Sequence, residues 1–284
     1  AAMYSSNNIT GSNNIGIGTD TLRTLSSGSD NIGIGRLSAN LTTTGAYNVG
    51  VGLAAGRAIS TGSRNIALGQ DSLGNQANPI TGSDNIALGY ASMYSSGIVS
   101  GTDNVGIGRS TFSSLSTGSN NTCIGLNAGA TLTVATGSVC VGYQAGYNIT
   151  TGTSNVCIGT NSGVSTGSIT GSNNVGIGQN TFRALTSGAG NVAIGLSSGN
   201  AITSGSSNTY IGNGSGSSSA SANDNVAIGV NALNSNSSSG ITAVGAYAAQ
   251  NNQTGLYNVA VGRYALFTNV SGCLLYTSDA ADDT

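Results

Sequence analysis

Three cysteines, Cys123, Cys140 and Cys157, recur at an even spacing along the chain, each flanked by β-branched residues in Thr-Cys-Ile, Val-Cys-Val and Val-Cys-Ile. Evenly spaced thiols raise two chemistries, metal ligation and disulfide exchange. The rest of the chain offers them little help. Its 284 residues contain no His, Lys, Glu or Trp, and only 6% are charged. Metal needs ligands converging on one point, with imidazole or further thiolates to complete the set. No two carboxylates recur together with a base, so no acid-base pair for glycoside chemistry is visible. The sequence therefore predicts no enzyme, no metal and no cofactor. Seven Arg against nine Asp give a net charge of -2, which leaves no electrostatic footprint for nucleic acid.

The cysteine spacing belongs to a larger pattern. Short segments of the NIGIG type close on Gly18, Gly35, Gly52, Gly69, Gly89, Gly108, Gly125, Gly142, Gly159, Gly178, Gly195, Gly212, Gly229, Gly245 and Gly262, fifteen copies with a prevailing period of 17. Each copy reads N-[IV]-x-[IV]-G-x-x-[AST]. Asn opens thirteen of the fifteen: Asn14, Asn31, Asn48, Asn65, Asn85, Asn104, Asn121, Asn155, Asn174, Asn191, Asn208, Asn225 and Asn258, with Ser138 and Ile241 as exceptions. Self-similarity at a fixed period is the signature of a repeat architecture. The two [IV] columns lie two positions apart, so on an extended chain they share one face and the residue between them points to the other.

A second glycine stands seven positions before the first in twelve copies, among them Gly28, Gly62, Gly118 and Gly188. Two glycines per repeat predict two corners, because glycine tolerates the positive φ of tight bends. Two corners in each repeat leave two short strands of about five residues per coil. Stacked parallel in register, about 4.8 Å apart, the coils would bury the Ile/Val columns, and fifteen of them would extend on the order of 70 Å. The expected fold is all-β, a parallel β-solenoid (β-roll) of about fifteen coils. Stacked Asn amides can donate to and accept from the next coil, which predicts a structural ladder. Cys123, Cys140 and Cys157 then fall in the column between the two [IV] residues, elsewhere Gly16, Gly33, Ala67 or Gly106, where a thiol serves as a small apolar group. In-register neighbours point their Cβ atoms the same way, poor geometry for a disulfide, so a column of reduced thiols is expected.

Longer coils carry extra residues in NQANPITGS, SSGIVSGT and VSTGSITGS, with Pro79 in the first. Insertions in solenoids map to surface loops, often on a recognition face. Asp30, Asp84 and Asp103 each precede a ladder Asn, a turn position natural for Asp. No apolar run approaches the length of a membrane-crossing helix, so no membrane span is expected. Residues 273 to 283, CLLYTSDAADD, break the pattern and resemble the translation of a sequencing-library adapter. Residues 1–272 are accordingly read as one solenoid domain, a fragment of a longer chain, and 273–284 as a non-native tail. Without that tail, seven Arg face six Asp.

The motif, as in Asn191-Val192-Ala193-Ile194-Gly195 and Asn225-Val226-Ala227-Ile228-Gly229, resembles the head repeats of trimeric autotransporter adhesins over about residues 7 to 272. Asn258-Val259-Ala260-Val261-Gly262-Arg263-Tyr264-Ala265-Leu266 is similar to related repeats of bacterial and viral fibres. The resemblance implies a β-roll, commonly trimeric, exposed outside the cell or on a virion and used for attachment. This chain departs in its longer coil and its cysteines. A thin roll has little interior, and a column of Gly and Ala would let another flat face approach, so a homo-oligomer, trimer or filament, is expected. A surface receptor or glycan is the expected further partner. A viral tail fibre is the alternative. An ice-binding solenoid would want a flat array of Thr, and the mixed Ala/Ser/Thr column argues against it.

Overall fold

A computed structural model describes residues 9–74, 78–95 and 97–277. The chain divides into two compact units, Ala1–Tyr143 and Gln144–Thr284. In the first, eight strands follow in order: β1 Ile15–Ile17, β2 Ile32–Ile34, β3 Val49–Val51, β4 Ile66–Leu68, β5 Ile86–Leu88, β6 Val105–Ile107, β7 Thr122–Ile124 and β8 Val139–Val141. The second holds β9 Val156–Ile158, β10 Val175–Ile177, β11 Val192–Ile194, β12 Thr209–Ile211, β13 Val226–Ile228, β14 Thr242–Val244, β15 Val259–Val261 and β16 Tyr276–Thr277. Within each unit every strand pairs parallel with the next coil, residue for residue, as in Ile15↔Ile32 and Gly16↔Gly33, or Val175↔Val192 and Gly176↔Ala193. Each unit is a parallel β-solenoid with one sequence repeat per turn, without helix among the described residues.

The structure corrects three details of the repeat reading. Each coil has one strand of at most three residues; its other side is a chain of turns, joined to its neighbours by backbone hydrogen bonds and by single bridges at Ile59↔Ile80, Ile80↔Val99 and Ile149↔Ile169. Ile80, Val99 and Ile169 lie within the inserted segments of the longer coils, so part of each insertion is structural. Asn75–Ala77 and Ser96 of those segments fall outside the described residues.

The second correction concerns the glycines. The strand-closing glycine does take a φ that side chains avoid, as at Gly18 (129°) and Gly142 (133°). The glycine seven positions earlier, as at Gly28 and Gly62, has no positive φ. It is there for close approach: a Cβ on Gly28 or Gly62 would overlap the carbonyl oxygen of Gly45 or Gly82 one coil on. The left-handed corners are made largely by other residues, three per coil, such as Asp30 (φ 59°), Leu37 (φ 62°) and Ala39 (φ 48°).

The third correction is the largest. The residue between the two [IV] columns is the one that faces inward: Ala67, Ala87, Cys123, Cys140, Ala193 and Tyr210 are fully buried. The Ile/Val columns point out. Period-two alternation fixes that they share a face but not which face is the core, and the thin interior decides it. Opposite the small column stand the fourth and seventh residues after the strand glycine, including Leu22, Leu25, Leu73, Met93, Phe112, Leu115 and Phe182, all essentially inaccessible. Together they leave room only for a small partner. Gly106 and Gly176 face Phe112 and Phe182, and a Cβ on either glycine would press to 3.1 and 2.9 Å of the ring. The relation reverses where the strand residue is larger, since a Cβ on Gly129, Gly163 or Gly216 would overlap Cys123 Sγ, Cys157 Sγ or the Tyr210 ring.

Candidate functional site

The Asn column lies at the corner entering each strand and is buried. In the first unit Asn14, Asn31, Asn48, Asn65, Asn85, Asn104 and Asn121 form a continuous series. Asn48 is representative. Its Nδ2 donates to Asn31 Oδ1 (3.0 Å) and to the Gly62 carbonyl (2.9 Å), while its Oδ1 accepts from the Asn65 backbone N–H (2.9 Å) and Nδ2 (3.1 Å). Each amide thus satisfies the backbone of the coil after it, and buried polar groups must be satisfied. The series ends at Ser138, whose N–H donates to Asn121 Oδ1 (2.9 Å).

In the second unit Asn155, Asn174, Asn191, Asn208 and Asn225 continue in the same way, and Ile241 closes the series by donating its N–H to Asn225 Oδ1 (2.8 Å). Asn258, beyond that gap, belongs to a second ladder that the repeat motif did not reveal. Asn252 donates to Asn236 Oδ1 (3.1 Å), while Asn269 (2.7 Å) and Asn258 (3.2 Å) both donate to Asn252 Oδ1. Asn236, Asn252 and Asn269 occupy the seventh place after the strand glycine, where earlier coils have Leu25, Leu115 or Leu132. The signal was in the sequence, as three Asn at spacings of 16 and 17 in a column otherwise apolar. The coil path also runs past Gly272, because Leu275 takes a ladder place, its N–H donating to Asn258 Oδ1 (2.9 Å).

Cys123 and Cys140 sit on adjacent strands of the first unit, Cα partners across the ladder, and Cys157 sits on β9 of the second. All three are buried thiols, whereas Cys273 is exposed. Gly129 faces the Cys123 sulfur and Gly163 the Cys157 sulfur, so each thiol takes the room that a glycine leaves. They fill space. Among the described residues no cluster of His, Cys, Asp or Glu could hold a metal, and no pocket opens. The Ala/Ser/Thr column three past the strand glycine is also internal. Ser38 Oγ donates to the Gly50 carbonyl (2.8 Å), and Ser162 Oγ to that of Gly176 (3.0 Å), so this column says nothing about an outer hydroxyl array.

What remains on the outside is the strand face. Ile34, Leu68 and Ile124 of the first unit and Ile158, Ile177 and Ile228 of the second are each 37–39% exposed, Ile17 57%, and the remaining members of the two columns are at least partly so. This, not the Gly/Ala column, is the flat apolar surface of each unit. The residue before each ladder Asn borders one edge of this stripe, and the residue after each strand glycine borders the other. On the first edge Arg64 Nε and Nη2 grip Asp84 Oδ1 and Oδ2 (2.6 and 2.7 Å), which lowers the Asp84 carboxyl below its ordinary range and raises the Arg64 guanidinium. Along the second edge the Arg109 guanidinium lies over the Tyr90 ring (5.4 Å). Near β15, Tyr247 stacks on Tyr264 at 5.1 Å, with Arg263 over the Tyr264 ring. No protein-family model and no curated protein matches the chain.

Proposed function

We propose that the chain is a structural fibre or adhesin shaft displayed outside the cell, built by side-by-side association of copies through the Ile/Val face. One observation carries this reading: an apolar stripe, two columns wide, repeats on every coil of a unit and stays partly exposed along its length. Monomeric proteins rarely expose contiguous apolar patches beyond a few hundred Å². Each half-exposed Ile or Val keeps roughly 1 kcal/mol of burial free energy that only a partner can supply. The inside of each unit is consumed by packing and ladders, which supports a scaffold rather than a reaction vessel. Attachment falls to exposed turns and to the inserted segments around Ile98 and Gly167. The resemblance to trimeric adhesin heads and to bacterial and viral fibres supports the location and the biology.

Sedimentation velocity of the full chain across a hundredfold concentration range tests the association. The expected result is a discrete oligomer, dissociated by Ile107→Asn with Ile124→Asn. Those side chains point outward, so the variant should keep the circular dichroism of the parent. A monomer at every concentration would refute the reading.

A further inference from the structure

The two edges of the apolar stripe differ in charge, and on two coils of the first unit the difference falls on one level. The β2 coil places Asp30 before its ladder Asn and Arg36 after its strand glycine; the β6 coil places Asp103 and Arg109 in the same two positions. Arg36, Arg109 and Asp103 are exposed. Among the described residues the only ion pair is Arg64–Asp84, so none of these four closes a salt bridge within its own chain. The first edge of the unit carries Asp30, Arg64, Asp84 and Asp103, and the second carries Arg36 and Arg109 with no acid; Asp20 and Asp71 lie one position further round.

We infer that these edges set the direction and register of association: copies pack parallel and level, with Arg36 and Arg109 of one chain against Asp30 and Asp103 of the next. The argument is geometric and rests on the self-association proposed above. A rotation about the solenoid axis, of any order, brings the first edge of one copy to the second edge of its neighbour at the same height. An antiparallel two-fold, with its axis across the strands, brings like edges together, and Asp103 would then approach the acidic edge of its partner. Opposite charges at an interface steer and fix register, and like charges face to face destabilise it. The aligned pairs also lie four coils apart, so a slip of one or two coils loses both at once.

Charge reversal in the Cys273→Ser background tests this. Asp103→Arg and Arg109→Asp, separately, should each weaken association by about tenfold or more, and the double variant should recover most of that loss. Arg is tolerated at the Asp103 position, since Arg64 holds the same left-handed backbone (φ 57° against 59°). Direction is read with pyrene on Thr19→Cys, near one end of the unit: parallel, level copies give excimer emission, and antiparallel copies do not. A chain that never associates ends the self-association reading and this one together. A chain that associates without excimer, or whose affinity ignores the single reversals, ends this inference alone.

Discussion

The two faces of one three-residue strand make opposite demands. On the inner face of β6, Gly106 is small because Phe112 already occupies the space, and the coil closes on itself. On the outer face, Val105 and Ile107 remain partly exposed and have no such partner. The inner face is finished by the chain and the outer face is left for another molecule. Size, not hydrophobicity, tells the two apart. A thin solenoid reserves its interior for whatever fits, and its most apolar residues end up outside.

Substitutions on the inner side should therefore cost the most. The largest effect is expected at the ladder, where Asn65→Leu strands the Gly82 carbonyl, Asn48 Oδ1 and the Asn85 N–H in a buried corner. At about 1–3 kcal/mol for each unsatisfied group, denaturant melts should show a loss of about 3–6 kcal/mol. Next comes the size relation across the interior. Gly129→Leu should cost about 1–3 kcal/mol by driving a side chain into the Cys123 thiol. Adding Cys123→Gly should recover at least half of it, because that pair reproduces the arrangement of Gly16 with Leu22. A loss that the second change leaves untouched would break the volume argument.

A smaller effect separates β12 from its neighbours. Burial pushes the Tyr210 phenol above its ordinary value, so the folded state keeps a proton that the unfolded chain loses. The stabilisation it reports is fully present below the unfolded value of about 10 and fades as pH climbs through the raised folded value. Denaturant midpoints should fall above pH ~10, and Tyr210→Phe should flatten that fall. The Arg64–Asp84 pair, lying in solvent, should matter least. Its carboxyl contribution is present above the unfolded Asp value and lost as pH drops through the lowered folded one.

The period, the register and the Asn series were legible because each rests on one residue type in one column. Asn gives a ladder only when neighbouring coils are level, so its recurrence fixes both spacing and pairing. Orientation was not legible, since alternation of period two marks two faces without saying which is inside. The core itself was hidden for a different reason. Leu22, Phe112 and Phe182 sit at φ of 50°, 52° and 53°, a left-handed backbone that no propensity rule assigns to bulky residues. The corner glycines misled in the same way, because Gly28 serves the approach of the next coil and not a positive φ.

Differential thiol labelling reads both faces at once. With Cys273→Ser removing the exposed thiol, a single cysteine is placed at Ile34 on the outer face, and maleimide uptake is followed at high and low protein concentration. The account predicts that Cys123, Cys140 and Cys157 stay unlabelled until the chain unfolds, while the residue-34 thiol is protected when concentrated and labels on dilution. Rapid labelling of the native three in the folded chain, with the residue-34 thiol protected at every concentration, would contradict it.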